Sequence, residues 1–256
     1  MGKPSTNIKK LDALGVDTIA TMQALNAFDG QVCIVTEDGR GGTFHYDSTL
    51  VGSDNQGTNF NGWVRQYSGA VYPEWFGAKG DGATNDTAIL KFVSQIGVDV
   101  IADNSYLVNA NEIVLADGVK LQGKGTFICN DTVPHSENEH SKAIISTTSN
   151  NVINSLHFSG LANTVFAVGG FSDTTNTVEK VLVKNITTDK CGIATFEPRL
   201  GFTFNRYDET FVDWINSGQV TSVHKASGIK VYNCEMSGDT YYNATTANTN
   251  SSTVSG

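Results

Sequence analysis

The chain has 256 residues, 26 glycines, 4 prolines and a formal net charge of −9 at pH 7. This length exceeds the usual size of one domain, so we expect one elongated domain with a small module, or two compact domains. The acidic balance, with no basic cluster denser than Lys9-Lys10, disfavours nucleic acid and anionic membranes as partners. The longest apolar runs, such as Val98 to Ala102, are far too short to span a membrane.

Neither the cysteines nor the histidines have the spacing of metal ligands. There is no CxxC pair and no HExxH segment. Gly77, Gly80 and Gly82 also lack the spacing of a nucleotide-binding loop. We therefore expect no metal site and no cofactor. Buried free thiols are expected at four positions, Cys33, Cys129, Cys191 and Cys234.

A small domain of mixed helix and strand is expected over residues 18–72, after a flexible leader or attachment arm over residues 1–17. Apolar residues at three-residue steps predict a helix within 18–28, capped by Thr18 and ended by Asp29-Gly30. The residues of that apolar stripe are Ile19, Met22 and Leu25.

Two strands joined by a glycine turn follow the predicted helix. The strands are expected over 31–36 and 43–47, with the turn at 37–42. A further alternating segment after Gly62 places Trp63 and Arg65 on one face. These elements predict a small antiparallel sheet.

The segment from Tyr72 to Ala88 combines an aromatic pair, a glycine-rich turn and a helix start. Thr84 is the expected N-cap, and a short helix is expected over 88–97. Its expected apolar stripe is Ile89, Phe92, Val93 and Ile96. Short strand-like segments then recur without helices between them: 98–102, 106–108, 112–115, 119–121, 126–129 and 143–145. The strand-rich pattern favours an all-β class.

Internal repetition indicates stacked structure. Residues 178–187 resemble residues 226–235 at an offset of 48, which we interpret as two steps of about 24 residues. The matched pairs are Val181 with Ile229, Val183 with Val231, and Asn185 with Asn233. Residues 152–158 form a looser third copy. Repeats of this kind bury alternating aliphatic residues by stacking, which is typical of a parallel β-helix.

The segment Trp75-Phe-Gly-Ala-Lys-Gly-Asp-Gly-Ala-Thr-Asn-Asp-Thr-Ala88, with the helix and strands after it, resembles the entry to pectate-lyase-like β-helices, above all those of bacteriophage tailspikes. The resemblance covers residues 18–128, and it departs from the family pattern at Asn85 and at Asp103-Asn104. It implies an all-β fold in which a small mixed N-terminal module precedes a right-handed, single-stranded parallel β-helix. Residues 73–97 would cap that β-helix and residues 98–256 would supply an incomplete set of coils.

The same resemblance implies a function. The chain would be the N-terminal part of a tailspike, attached to the phage baseplate or another tail protein, and it would start the β-helix that binds and cleaves a bacterial capsule or O-antigen. A homotrimer is implied, made in the bacterial cytoplasm and acting outside the cell as part of the virion. The alternative is a non-enzymatic attachment segment of a tail fibre or spike. The chain is expected to continue past Gly256 in the natural protein.

Catalytic candidates lie where acids, arginines and aromatics are mixed, between Cys191 and Gly218. Cleavage of a polysaccharide by a hydrolase needs two carboxyl groups about 5 to 10 Å apart. Cleavage by a lyase needs a base together with a group that stabilises charge, and the sequence leaves both kinds of chemistry open. The candidate carboxylates are Glu197, Asp208, Glu209 and Asp213. In contrast, Asp81 and Asp86 are interpreted as turn and helix-start residues, and Trp75 and Phe76 as core residues of the β-helix cap.

Overall fold

A computed structural model of the chain describes residues 13–109, 112–129, 143–160, 164–168 and 178–189, together with the strand segments 226–227, 230–232, 234–237 and 252–254. The chain divides into two compact units. The first unit contains Met1–Ser68 and Glu74–Gly77, and the second contains Gly69–Pro73 and Ala78–Gly256. None of the described helices has the length and hydrophobicity needed to cross a membrane.

The first unit is one helix packed on a five-stranded sheet. Its elements are β1 (Leu14–Val16), α1 (Ile19–Gln23), β2 (Val32–Val35), β3 (Gly42–Tyr46), β4 (Asn59–Phe60) and β5 (Trp63–Arg65), with a 3-10 turn at Ser48–Leu50. A second 3-10 turn, Pro73–Phe76, lies in this unit except for Pro73, which belongs to the second unit. The sheet order is β1-β2-β3-β5-β4. The β1 and β2 strands are parallel, and the other neighbours are antiparallel. The predicted strand, turn and strand are therefore confirmed.

The alternation of side chains along these strands creates the core of the first unit. Apolar residues from α1 and from one face of the sheet form a single buried cluster. Its members are Ile19, Met22, Cys33, Val35, Phe44, Phe60 and Trp63. Trp63 and Arg65 are both buried, as predicted. Cys33 and Cys129 are buried and free, and the side chains of Cys191 and Cys234 lie outside the described residues.

The predicted cap of α1 is confirmed, but its predicted length is wrong. The Thr18 hydroxyl accepts a hydrogen bond from the backbone N–H of Thr21 at 3.1 Å. The helix ends at Gln23, five residues before Phe28, where the predicted segment ends. The backbone N–H of Leu25 donates to the Met22 carbonyl, and this tighter bond closes the last turn.

Strands dominate the second unit, as the all-β prediction requires. The elements up to residue 129 are β6 (Ala70–Val71), β7 (Asp81–Asn85), α2 (Thr87–Val93), β8 (Asp99–Ile101), β9 (Ser105–Val108), β10 (Ile113–Val114), β11 (Lys120–Gln122) and β12 (Thr126–Cys129). The later strands are β13 (Ala143–Thr147), β14 (Val152–Asn154), β15 (His157–Gly160), β16 (Thr164–Val168), β17 (Val178–Glu179), β18 (Leu182–Lys184), β19 (Thr187–Asp189), β20 (Ala226–Ser227), β21 (Lys230–Tyr232), β22 (Cys234–Ser237) and β23 (Ser252–Val254).

From β8 to β16 the chain visits three parallel sheets in rotation. The sheets have the orders β21-β18-β14-β11-β8-β6, β23-β22-β19-β15-β12-β9-β7 and β10-β13-β16, and β17 pairs with β20. The pairing is parallel throughout these sheets except between β22 and β23. From β8 to β13, each strand therefore pairs with the strand that comes three strands later in the chain, while β14 and β15 pair with β18 and β19.

The register between parallel strands places similar residues beside each other on successive strands, so that they form columns. An aliphatic column joins Val100, Leu121, Ile153 and Val183 in one sheet. An aromatic column in the next sheet joins Tyr106, Phe127 and Phe158, with ring centroids 5.5 Å and 5.4 Å apart. All of these side chains are buried. The core of the second unit thus consists of side chains stacked along the sheets.

The sequence repeat is confirmed in register and wrong in period. Val183 pairs with Val231 in the structure, at the predicted offset of 48, and Ile153 of the looser copy pairs with Val183. Because β18 and β21 are direct neighbours, the 48 residues form one step of the stack and not two steps of 24. Ile229 and Asn233 lie outside the described residues.

The start and the buried face of α2 differ from the prediction. Thr84 is not the N-cap, because its N–H and hydroxyl both donate to the Asp81 carboxylate and the residue belongs to β7. The N-cap position is Asp86. This start places Thr87, Leu90 and Val93 on the buried face, while Phe92 is 46% exposed.

Candidate functional site

The four predicted catalytic carboxylates, Glu197, Asp208, Glu209 and Asp213, lie outside the residues that the structure describes. The described carboxylates nearest to the tailspike-like motif hold the backbone in place. Asp86 accepts hydrogen bonds from the N–H groups of Lys79 and Gly80 at 2.8 Å and 2.9 Å. Asp81 accepts from Ala83 and Thr84. Their predicted roles at a turn and a helix start fit these contacts.

The glycines of the same motif, Gly77, Gly80 and Gly82, have positive φ angles. The φ angles are 100° at Gly77, 60° at Gly80 and 70° at Gly82. Residues with a Cβ atom rarely adopt this conformation. The motif is therefore a folding element whose glycines and carboxylates are engaged in backbone geometry.

Asp81 should make folding stability sensitive to acid. The N–H groups of Thr84 and Ala83, followed by the Thr84 hydroxyl, lower the pKa of Asp81 to about 2. The carboxylate therefore contributes stability above its unfolded pKa of about 3.9, and this contribution is lost as the pH falls through about 2. We expect Asp81→Asn to lower the melting temperature at pH 6, with a difference from the unmodified chain that shrinks between pH 4 and pH 2. Asp38→Asn, at an exposed site, is the control, and a difference that stays constant with pH would contradict the assignment.

Trp75 and Phe76 do not have the predicted location. Both belong to the first unit and are not part of the second unit's strand core. The Trp75 ring lies 4.4 Å from the Arg65 guanidinium carbon and 5.6 Å from the Tyr67 ring. Phe76 is buried. The motif therefore supplies core residues to the preceding module.

A group of polar side chains lies where the chain passes from the six-stranded sheet to the seven-stranded sheet. We call Asn154, Ser155, His157, Asn185 and Thr187 the corner strip. The Asn154 Oδ1 accepts hydrogen bonds from the Asn185 amide at 2.8 Å and from the Ser155 hydroxyl at 2.9 Å. The His157 Nδ1 lies 2.7 Å from the Thr187 hydroxyl oxygen. The strip thus carries polar groups from two consecutive steps of the stack.

Backbone conformation positions this strip. Ser155 and Asn185 have φ angles of 60° and 54°, and each comes directly after a strand of the six-stranded sheet. Gly123 has the equivalent place after β11, with a φ angle of 148°. A Cβ atom on Gly123 would lie 2.1 Å from the Ala102 carbonyl oxygen. The corner therefore requires unusual backbone angles, which bring the polar side chains of successive steps together.

The corner strip offers amides, hydroxyls and one imidazole, and it contains no carboxylate. It can donate and accept hydrogen bonds through its amides, its hydroxyls and the imidazole of His157. It does not supply the paired carboxyl groups of glycoside hydrolysis. No group of three potential metal ligands occurs among the described side chains. Its chemistry suits recognition of a polar, uncharged ligand.

Sequence reasoning missed most of this strip. The match between Asn185 and Asn233 in the repeat was the available signal, because Asn is one of the residues that tolerate positive φ at such a corner. Ser155 and His157 occur in the looser copy, where no residue type marks the corner. Their alignment with Asn185 and Thr187 depends on the 30-residue step between β14 and β18, which spacing alone did not reveal.

The chain resembles known proteins in its fold and not in a recognisable sequence family. No protein-family model and no curated protein matches the chain. Among solved structures, the tailspike protein of Acinetobacter phage vB_ApiP_P1 matches at a TM-score of 0.51 and 17% identity, over 87% of this chain and 45% of that one. The tailspike of Acinetobacter phage vb_AbaP_AS12 matches at a TM-score of 0.52 and 15% identity, over 87% and 44%.

A third tailspike, tailspike protein 2 of an Escherichia coli O157:H7 bacteriophage, matches at a TM-score of 0.55 and 19% identity, over 74% of this chain and 29% of that chain. The chain thus spans less than half the length of each of these three structures. All three are phage tailspikes, and the fold of this chain is similar to part of theirs.

Proposed function

We propose that this chain is the N-terminal part of a phage tailspike, with residues 18–72 as a virion-side domain, residues 73–97 as a cap whose segment Glu74–Gly77 belongs to the first unit, and residues 98–256 as coils of a right-handed parallel β-helix. The observation that carries the proposal is the rotation of the chain through three parallel sheets with buried columns in register. A stack of this kind makes a long, stiff surface from short strands. The fold similarity to three tailspikes supports the same proposal.

Bacterial surface polysaccharide, a capsule or an O-antigen, is the proposed ligand of the stack. The corner strip supports this ligand class, because its amides and hydroxyls match the many hydroxyl groups of a sugar chain. Charge does not select between neutral and charged polysaccharides, since the strip holds no carboxylate and the chain as a whole carries a net charge of −9. Hydrogen bonding to the corner strip is then the source of recognition in the described part of the chain.

The corner strip can be tested by binding. We expect Asn154→Ala to weaken binding of a host polysaccharide by about tenfold, because it removes the acceptor that organises Asn185 and Ser155. Asn150→Ala is the matched control, since its amide donates to Asp117 outside the corner strip. Surface plasmon resonance with immobilised polysaccharide gives the two affinities. Equal affinities of the two variants for the polysaccharide would contradict binding by the corner strip.

Cleavage of the polysaccharide is proposed for the whole tailspike, with Glu197, Asp208, Glu209 and Asp213 as candidate carboxylates. The test is incubation with capsule or O-antigen from the host, followed by assays for reducing ends and for unsaturated uronate. Hydrolysis gives new reducing ends alone, while a lyase gives both products. Loss of product in a Glu197→Gln or Asp208→Asn variant would identify the participating groups.

A non-enzymatic attachment segment is the second candidate function. The observation in its favour is that carboxylates among the described residues have structural partners. Asp99 pairs with Lys120 at 3.1 Å, and Asp103 accepts from the backbone N–H of Lys124 at 2.9 Å. Asp81 and Asp86 hold turns, as described above. A chain that binds polysaccharide and yields neither product would support this function over the first.

The proposal includes a homotrimer in the virion that is attached to the baseplate or another tail protein through its N-terminal domain. It is made in the bacterial cytoplasm and acts outside the cell. Light scattering gives the mass of the particle in solution. A mass three times 27.4 kDa supports the trimer, and a strict monomer at micromolar concentration would show that this chain does not trimerise by itself.

A further inference from the structure

We propose that Glu74–Gly77 acts as a strap that makes the two units unfold together. These four residues belong to the first unit, while Gly69–Pro73 before them and the chain from Ala78 onward belong to the second. The chain therefore passes between the units three times, and not once through a single exposed linker. Domains joined by one flexible linker have few contacts at the boundary and unfold separately. This proposal is independent of the function proposed above.

Phe76 is the principal anchor of the strap in the first unit. Its side chain is 5% exposed. A Cβ atom built on Gly57 would lie 2.2 Å from two atoms of the Phe76 ring. The ring thus fills the space that any side chain at position 57 would need. The Gly57 carbonyl also accepts a hydrogen bond from Arg65 Nε at 3.0 Å, so the loop that receives Phe76 is fixed to β5.

Trp75 is the second anchor. The Arg65 guanidinium carbon lies 4.4 Å from the centre of the Trp75 ring and 4.6 Å from the centre of the Phe44 ring. Arg65 is 4% exposed. A buried guanidinium is attracted to the electron-rich faces of both rings, and this attraction is stronger away from water. Loss of the strap would expose this charge and remove one of its two rings.

The residues flanking the strap are anchored in the second unit. On one side, Val71 is fully buried and pairs with Val100 in β8. On the other side, Ala78 is 6% exposed, and the N–H groups of Lys79 and Gly80 are held by the Asp86 carboxylate. Val71 comes three residues before the strap, and Ala78 follows it directly. Release of the strap therefore disturbs β6 and the turn after it.

Hydrogen–deuterium exchange of the whole chain, resolved by peptide mass spectrometry, tests the strap. Phe76→Ala is expected to raise exchange by about tenfold or more in β5 and also in β6 and β8, because it removes the packing of a buried aromatic ring and leaves a cavity. Phe92→Ala is the matched control, since Phe92 lies in the second unit and is 46% exposed. It should leave exchange in all three strands unchanged.

Gly57→Ala provides a second variant that leaves the strap sequence intact. Its methyl group would displace the Phe76 ring, so the same increase in β6 and β8 is expected. Faster exchange confined to the first unit in both variants would overturn the proposal, because it would show that strap packing stabilises only its own unit. Unchanged exchange in both would also overturn it. If Phe76→Ala does not fold, the Gly57→Ala result decides.

Discussion

Replacing Arg65 by alanine should destabilise the first unit by about 4 kcal/mol, because one side chain ties three backbone carbonyls together. Arg65 Nε donates to Gly57, and its two terminal nitrogens donate to the Gly41 and Arg40 carbonyls at 2.6 Å each. No water can replace these donors easily, since the residue is buried. Each carbonyl left without a donor costs about 1 to 3 kcal/mol.

The charge of Arg65 also matters in this prediction. Burial, followed by the nearby Arg40, lowers the pKa of Arg65 to about 10, so the group still carries its charge at neutral pH. Arg65→Lys keeps that charge but loses the planar fork that reaches three acceptors. It should therefore lose a large part of the stability that Arg65→Ala loses.

Urea unfolding followed by the fluorescence of the tryptophans measures both variants. Asp38→Ala is the control, because Asp38 is exposed on the first unit and exposed substitutions change stability by less than about 0.5 kcal/mol. An Arg65→Ala variant as stable as Asp38→Ala would mean that the carbonyls find other donors. A lysine variant equal to the unmodified chain would show that charge alone is sufficient.

Local patterns predicted most strands, because alternation and turn residues act over a few neighbouring positions. The hairpin of β2 and β3 followed from a glycine turn between two alternating segments. The register of Val183 with Val231 followed from comparing two similar segments. In both cases the residues that pair with each other also carry the sequence pattern that predicted the pairing.

The errors have a common cause, which is competition between distant or alternative partners. Thr84 is a good N-cap by residue type, yet the Asp81 carboxylate takes its donors. Trp75 follows the strand β6 of the second unit, yet its ring packs on Arg65 of the first. A local sequence pattern does not show which of several distant partners a side chain will contact. The same limit hid the corner strip, whose residues meet across a step of 30.

Positive φ at residues other than glycine was also outside the reach of sequence patterns. Asn150 and Lys180 have φ angles of 60° and 58°, two residues before β14 and β18. Gly97 and Gly118 have the equivalent place before β8 and β11. A positive φ angle therefore recurs two residues before each of these four strands, although the residue type at that position changes. A sequence search for a glycine at each step would find only two of the four.

Phe127→Ala should lower the free energy of unfolding of the second unit by about 4 kcal/mol. Phe127 is fully buried and lies in the middle of the aromatic column, between Tyr106 and Phe158. Its removal leaves a cavity and ends two ring contacts, each worth about 0.5 to 1.5 kcal/mol. Because parallel neighbours stabilise each other along the stack, the loss should spread to β9 and β15.

Phe127→Leu separates ring contacts from burial. It keeps most of the apolar volume, so it should cost about half as much as alanine. Phe92→Ala, at the 46% exposed site, should cost less than about 0.5 kcal/mol. Urea unfolding monitored by circular dichroism near 218 nm measures all three. If alanine at 127 costs no more than alanine at 92, the column does not hold the stack together, and the stability of the second unit must come from its other core residues.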